Sequence, residues 1–73
     1  MSYQEVISVA DPDWQKNAED LMQRRRPFVL VGWKLGFDET MCSQMAIKNR
    51  YRYRADIIKG RGFFDPISDE SKS

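Results

Sequence analysis

Residues 27–36 read PFVLVGWKLG, and this stretch decides the fold class. Its run of β-forming residues is typical of a buried strand, whereas a proline at a first helical position is typical of a short buried helix. Periodicity does not separate the two for so short a run. The residues that follow favour a helix, because Gly36 and Asp38 interrupt the chain and Asp38 suits the N-cap of a helix that begins at residue 39 or 40.

This order of elements resembles a helix-turn-helix with Gly36 at the turn. The two helices of that motif cross closely, and Gly32 supplies the small residue that the crossing needs. The buried positions of the motif would be Val31, Leu35, Phe37, Cys42 and Met45. The second helix would expose the side chains that read DNA, namely Thr40, Ser43, Gln44 and Lys48. Cys42 and Glu39 depart from the motif, which usually has a branched aliphatic residue and no acid at these places. We predict a mainly α fold, a small helical domain with a helix-turn-helix-like core.

The flanking segments add two helices to this prediction. Asp11 and Pro12 suit the start of a helix that should end near Arg26, before Pro27. The apolar stripe of this helix is Trp14, Ala18, Leu21 and Met22. A separate helix is predicted by a second apolar stripe, Ile47, Tyr51, Ala55 and Ile58. Residues 3–9 alternate weakly and form either a short strand or an extended arm. We expect one compact domain over residues 1–66 and a disordered acidic and polar tail over residues 67–73.

The segment Arg50-Tyr51-Arg52-Tyr53-Arg54 has two interpretations. In a strand, the three arginines would share one face and the tyrosines the other. In a helix, Arg50 and Arg54 would stay together and Arg52 would point nearly opposite. Tyr51 fits the second helical stripe, so we prefer the helix. In either case the arginines are candidates to grip phosphates or acidic side chains, with Tyr53 beside them.

Composition and charge exclude several classes of function. The chain has 73 residues and a net charge of +1, but residues 1–23 carry −4, residues 24–61 carry +7 and residues 62–73 carry −2. A basic centre between acidic ends indicates an anionic partner. There is no histidine and one cysteine, and no residue spacing indicates an activated nucleophile. We therefore expect no enzyme, no metal site and no cofactor.

In length, in its opening Met1-Ser2-Tyr3-Gln4-Glu5-Val6-Ile7 and in its layout, the chain resembles a family of small phage proteins. These are the bacteriophage transcription regulators that bind host RNA polymerase, of the type known from Xanthomonas phages. The layout is an acidic first helix, the apolar block over residues 27–36 and the arginine-rich segment. The resemblance implies binding to the β and β′ subunits, displacement of the σ factor, and also antitermination. It carries over no functional residue by motif.

Two functional hypotheses follow. In the first, the chain binds polymerase as a monomer in the cytoplasm of a bacterial host and occludes the surface that σ needs. The partner-binding candidates, chosen by charge and expected exposure, are Val6, Ile7, Arg24, Arg25, Arg26, Lys48, Arg50, Arg52, Tyr53 and Arg54. The alternative is a helix-turn-helix repressor that reads DNA with the second helix of the motif. A non-specific nucleic-acid binder is disfavoured, because such proteins are usually strongly basic.

Overall fold

The computed structural model of the chain describes residues 5–34 and 36–67. Two helices and four strands make up this part of the chain. In chain order they are β1 (Glu5–Ser8), α1 (Trp14–Gln23), β2 (Phe28–Val31), α2 (Thr40–Lys48), β3 (Tyr51–Asp56) and β4 (Arg61–Pro66). The predicted tail begins at Ile67, which is described and exposed, and its other residues lie outside the described ranges.

The prediction of a mainly α fold is wrong. Of the described residues, 31% are helical and 32% lie in strands, so the protein is a small α/β domain. The strands form one mixed sheet in the order β1-β2-β4-β3. β1 and β2 are parallel and are joined through α1, while β4 is antiparallel to both of its neighbours. The short N-terminal strand that the sequence left open is present as β1.

The helix-turn-helix-like core is absent from the described residues, because its first helix is a strand. β2 pairs with β1 from Glu5↔Phe28 to Ser8↔Val31 and with β4 on its other side. Phe28 and Leu30 are fully buried, so the apolar run of this segment fills a central strand. Gly36 has a φ of +92°, but it lies between a strand and a helix. The predicted buried position at Leu35 lies outside the described residues.

Helix α1 is confirmed, although it begins at Trp14, later than the predicted start at Asp11 and Pro12, and it ends at Gln23, before the proline at position 27. The Arg25 amide donates to the Met22 carbonyl and the Arg26 amide to the Leu21 carbonyl, each at 3.1 Å. Arg25 itself has a φ of +58°. These bonds form a Schellman motif, which closes the helix and turns the chain into β2.

Helix α2 begins where the sequence predicted. The Thr40 amide donates to Asp38 Oδ1 at 3.0 Å, so Asp38 supplies an acceptor to the first turn. The helix ends at Lys48, and Arg50 then has a φ of +59°. Each helix is therefore followed, two residues after its last residue, by an arginine in the left-handed conformation.

The predicted second helical stripe is wrong, because residues 51–56 form β3. Tyr51 and Ala55 are four residues apart, a spacing that places them on one side of a strand as well as of a helix. The two outer residues of the predicted stripe distinguish the strand from the helix. In a buried helical stripe Ile47 and Ile58 would be covered, but they are 78% and 96% exposed. The segment instead pairs with β4, from Tyr51↔Pro66 to Asp56↔Arg61.

Both helices cover the same face of the sheet. Buried residues from α1, α2 and all four strands form a single cluster there: Ile7, Trp14, Ala18, Met22, Phe28, Leu30, Cys42, Ala46, Tyr51 and Phe64. At its centre the rings of Phe28 and Phe64 are stacked, with centroids 4.6 Å apart. The opposite face of the sheet carries neither of the two helices.

Candidate binding surface on the open face of the sheet

The face of the sheet away from the helices is called here the open face. Side chains alternate between the two faces along each strand, so the register fixes its members. They are Val6, Ser8, Val29, Val31, Arg52, Arg54, Asp56, Arg61, Phe63 and Asp65. One row crosses the whole sheet in the order Val6, Val29, Phe63, Arg54, and it runs from apolar to cationic.

The apolar half of the open face is a shallow groove. It has a volume of about 290 Å³ and is lined by Val6, Val29, Val31, Arg61 and Phe63. Val6 is 59% exposed, whereas Val29 is buried beneath its neighbours without joining the core cluster. An exposed valine beside a half-buried phenylalanine is the kind of apolar surface that protein partners cover.

The cationic half of the open face holds three exposed arginines. Arg54 places its Cζ atom 4.7 Å from the centroid of the Phe63 ring, a cation–π contact. Arg52 and Arg61 lie opposite Asp65 and Asp56 in the register of the hairpin. Within residues 5–34 and 36–67, no ion pair holds Arg52, Arg54 or Arg61. All three arginines are exposed on one face of the described structure, an arrangement that suits contact with an anionic partner.

The triplet Arg24, Arg25, Arg26 lies away from this surface, after α1. Arg24 Nε is 3.3 Å from Asp20 Oδ2, and Arg26 Nε is 3.6 Å from Glu5 Oε2. Arg24 and Arg26 are exposed and each has an acidic neighbour, so neither is a free cation in the described structure.

Within the described residues, the side chain of Arg25 contacts other parts of the same domain and not solvent-facing acids. Its Nη1 donates to the Asn49 carbonyl at 2.7 Å, and its Nη2 donates to the carbonyls of Ile67 at 2.7 Å and Arg50 at 3.3 Å. Its Cζ also lies 5.1 Å from the centroid of the Tyr51 ring. The side chain thus joins the end of α1 to the start of β3 and the end of β4, which is a structural role that the sequence did not reveal.

The remaining partner-binding candidates are divided among several places. Lys48 is exposed in the last turn of α2, and Arg50 is exposed between α2 and β3. Tyr53 lies on the helix side of the sheet, where its hydroxyl donates to Glu39 Oε1 at 2.9 Å. Burial raises the pKa of Tyr53. Ile7 is buried in the core, so of the two adjacent apolar candidates only Val6 is on the open face.

The residues predicted to read DNA all lie on α2. Thr40, Gln44 and Lys48 are exposed, and Ser43 is half-buried. Their helix follows a loop and a strand and not a first helix of the motif. The arrangement that would seat α2 in a major groove is therefore missing from the described part of the chain.

Sequence reasoning missed the members of the open face contributed by β2 and β4. These are Val29, Val31, Arg61 and Phe63. The stretch Arg61-Gly62-Phe63-Phe64 gives only a weak strand signal, because it contains two aromatic residues but does not alternate polar with apolar residues. Its small member is Gly62, which is buried beneath Trp33 and Tyr53.

The described residues include one thiol and several carboxylates that bear on chemical reactivity and metal binding. Cys42 is fully buried, and burial raises the pKa of its thiol to about 11, so it is a packed thiol and not a nucleophile. In residues 5–34 and 36–67, no three of the His, Cys, Asp and Glu side chains lie together in a way that could hold a metal ion.

Comparison of the chain with protein-family models, with curated proteins and with solved structures finds no match. In the described part of the chain, neither helix has the length and apolar character needed to cross a membrane.

Proposed function

We propose that this chain is a transcription regulator that binds bacterial RNA polymerase through the open face of its sheet. The observation that carries the proposal is the row Val6, Val29, Phe63, Arg54, with Arg52 and Arg61 on either side of its cationic end. Aromatic and arginine side chains are enriched in protein interfaces, where apolar contact supplies affinity and charge supplies orientation.

Three residues chosen from the sequence, Val6, Arg52 and Arg54, lie together on this face. The resemblance to phage regulators of polymerase supports the identity of the partner, and the β and β′ subunits are the expected contacts. The open face suits a protein surface because it is half apolar and carries two carboxylates beside its three arginines. A surface for duplex DNA alone would be more uniformly basic.

The mechanism follows from mass action. A protein that occupies the surface needed by σ lowers the fraction of polymerase in the initiation-competent form, in proportion to its own occupancy. Occlusion of this kind needs binding alone and no enzymatic step. Antitermination would follow if the same bound protein stays on the elongating polymerase.

The test is capture of purified core polymerase by the immobilised protein, with σ added as competitor. The wild type should retain core polymerase, and added σ should reduce that retention because the two proteins compete for one surface. A variant with Arg52→Glu and Arg54→Glu should lose at least tenfold in affinity, because each exposed charge pair contributes roughly up to 1 kcal/mol and reversal adds repulsion.

The matched control is Arg24→Glu with Lys48→Glu, which changes the net charge equally at the ends of the two helices. It should bind polymerase within about twofold of the wild type, with circular dichroism showing that both variants are folded. Retention of no polymerase by the wild type would refute the proposal. Equal losses in the two variants would refute the assignment to the open face.

A further inference from the structure

The outer edge of β3 is an unpaired sheet edge. β3 is the last strand in the order β1-β2-β4-β3, and within the described residues its ladder runs only to β4. Free edges bind other strands through the backbone, so the direction of each N–H and C=O along β3 decides what the edge can accept.

The hydrogen-bond phase of the hairpin gives that direction. The Ile67 amide donates to the Arg50 carbonyl at 3.0 Å, which makes these two residues a hydrogen-bonded pair. Such pairs alternate along an antiparallel ladder, so Arg52 and Arg54 point their backbone groups at β4. Pro66, which has no N–H, lies opposite Tyr51 at a position that needs none on this side.

The remaining residues of β3 point their backbone groups outward. These are Tyr51, Tyr53 and Ala55, and no backbone hydrogen bond in residues 5–34 and 36–67 uses their amides. Three alternate residues with outward N–H and C=O groups can pair with an added strand of about five residues.

The charge of the side chains on β3 indicates what kind of strand could pair with its outer edge. The side chains of Arg52 and Arg54 alternate with the outward-pointing residues and are both on the open face, without an ion-pair partner in the described residues. A residue on an added strand would have its Cβ about 5 Å from the residue it faces on β3. Acidic side chains at alternate positions of that strand would face the two arginines.

The same charge disfavours a second copy of this chain. Pairing β3 with β3 of another copy in antiparallel register would bring Arg52 and Arg54 against the same two arginines. Like charges directly opposite destabilise strand pairs. The edge is therefore unsuited to antiparallel pairing with a second copy.

We propose that the outer edge of β3 binds an extended segment of a partner protein by strand addition, with Asp or Glu at alternate positions facing Arg52 and Arg54. This inference rests on the proposed function in that it assumes a protein partner, and it specifies how part of the partner is held. It requires no particular subunit.

The experiment uses the ¹⁵N-labelled full chain and a synthetic peptide of about seven residues in which glutamate alternates with valine. Amide hydrogen exchange is followed residue by residue. In the free protein, Tyr53 and Ala55 should exchange quickly, whereas Arg52 and Arg54 should be protected by the ladder to β4. The peptide should slow exchange of Tyr51, Tyr53 and Ala55 at least tenfold at saturation and leave the already protected arginines unchanged.

Two control peptides separate strand addition from simple attraction of charge. A peptide with lysine in place of glutamate should bind at least tenfold more weakly. A glutamate peptide with N-methylated valines keeps its charge but cannot donate to the edge, and it should not protect the three outward amides. The variant with Arg52→Glu and Arg54→Glu should reverse the preference and bind the lysine peptide.

Several results would overturn the inference. These are no change in exchange at millimolar peptide, equal binding of the N-methylated peptide, or a wild-type dimer whose outward amides are already protected. If polymerase is captured but the peptide fails, strand addition is refuted and the proposed function stands. If the peptide binds but polymerase is not captured, the identity of the partner is refuted and the edge site stands.

Discussion

Replacing Arg25 by alanine should destabilise the domain more than any other single arginine replacement tested beside it. The guanidinium donates three hydrogen bonds to backbone carbonyls and lies against the Tyr51 ring. A hydrogen bond of this kind contributes about 0.5–1.5 kcal/mol, and exposure to solvent favours the lower part of that range. The expected loss is about 2 kcal/mol.

The backbone of Arg25 allows a sharper comparison. Its φ of +58° is equally unfavourable for arginine and alanine, so strain cancels in that replacement. Glycine adopts this conformation freely and recovers about 1 kcal/mol. Arg25→Gly should therefore be about 1 kcal/mol more stable than Arg25→Ala, although both lack the side chain.

The assay is urea and thermal denaturation followed by circular dichroism. For a domain of this size, 1 kcal/mol corresponds to about 4–8 °C, so Arg25→Ala should melt about 10 °C below the wild type. Arg24→Ala is the matched control, because it loses only an exposed pair with Asp20 and should change stability by about 0.5 kcal/mol or less. An Arg25→Ala variant as stable as Arg24→Ala would refute the structural role of Arg25.

Two further predictions concern the interior. A Cβ added at Gly62 would lie 2.9 Å from Trp33 Cζ2 and 2.9 Å from Tyr53 Cε1, so Gly62→Ala should cost about 1–3 kcal/mol by urea denaturation, and a fully stable variant would contradict this packing. Burial raises the pKa of Cys42 from 9.0 to about 11, so at pH 8 the folded protein should be alkylated by iodoacetamide at least about 100-fold more slowly than in urea. The unfolded thiol ionises first as the pH rises, so this contribution to stability is present below pH 9 and is lost between pH 9 and about 11. Between pH 9 and about 11, the urea midpoint of the Cys42→Ala variant should fall less than that of the wild type. Equal falls in the two proteins would contradict the raised pKa of the buried Cys42 thiol.

The elements that could be predicted from the sequence are those whose signals are local. Helix α1 has a proline after it and an apolar stripe, and α2 has Asp38 at its start. Both signals act within a few residues, through capping and through one helical face. These helices were therefore found without knowledge of the sheet.

Strands β2, β3 and β4 could not be predicted, because their stability comes from distant partners. β2 is held by β1 and by β4, and 29 residues separate the end of β2 from the start of β4. In β3, the spacing of Tyr51 and Ala55 satisfied a helix and a strand equally, and only pairing with β4 distinguishes them. The candidate surface could not be predicted for the same reason. Phe63 and Arg61 lie beside Arg52 and Arg54 only because β3 and β4 pair in the hairpin.

The arginine triplet shows a different limit. In charge and in position along the sequence, Arg24, Arg25 and Arg26 are equivalent. Their roles differ because Arg25, in the left-handed conformation, places its side chain against the carbonyls that precede β3 and the one that follows β4. Sequence composition carries no information about that turn in the backbone.

The position of β4 has a consequence for synthesis on the ribosome. β4 is the last of the four strands to be made, yet it lies between β2 and β3. Until Arg61–Pro66 leaves the exit tunnel, β2 lacks one neighbour, β3 has none, and Phe28 has no Phe64 to stack on. The nascent chain therefore completes its core in one late step and not strand by strand.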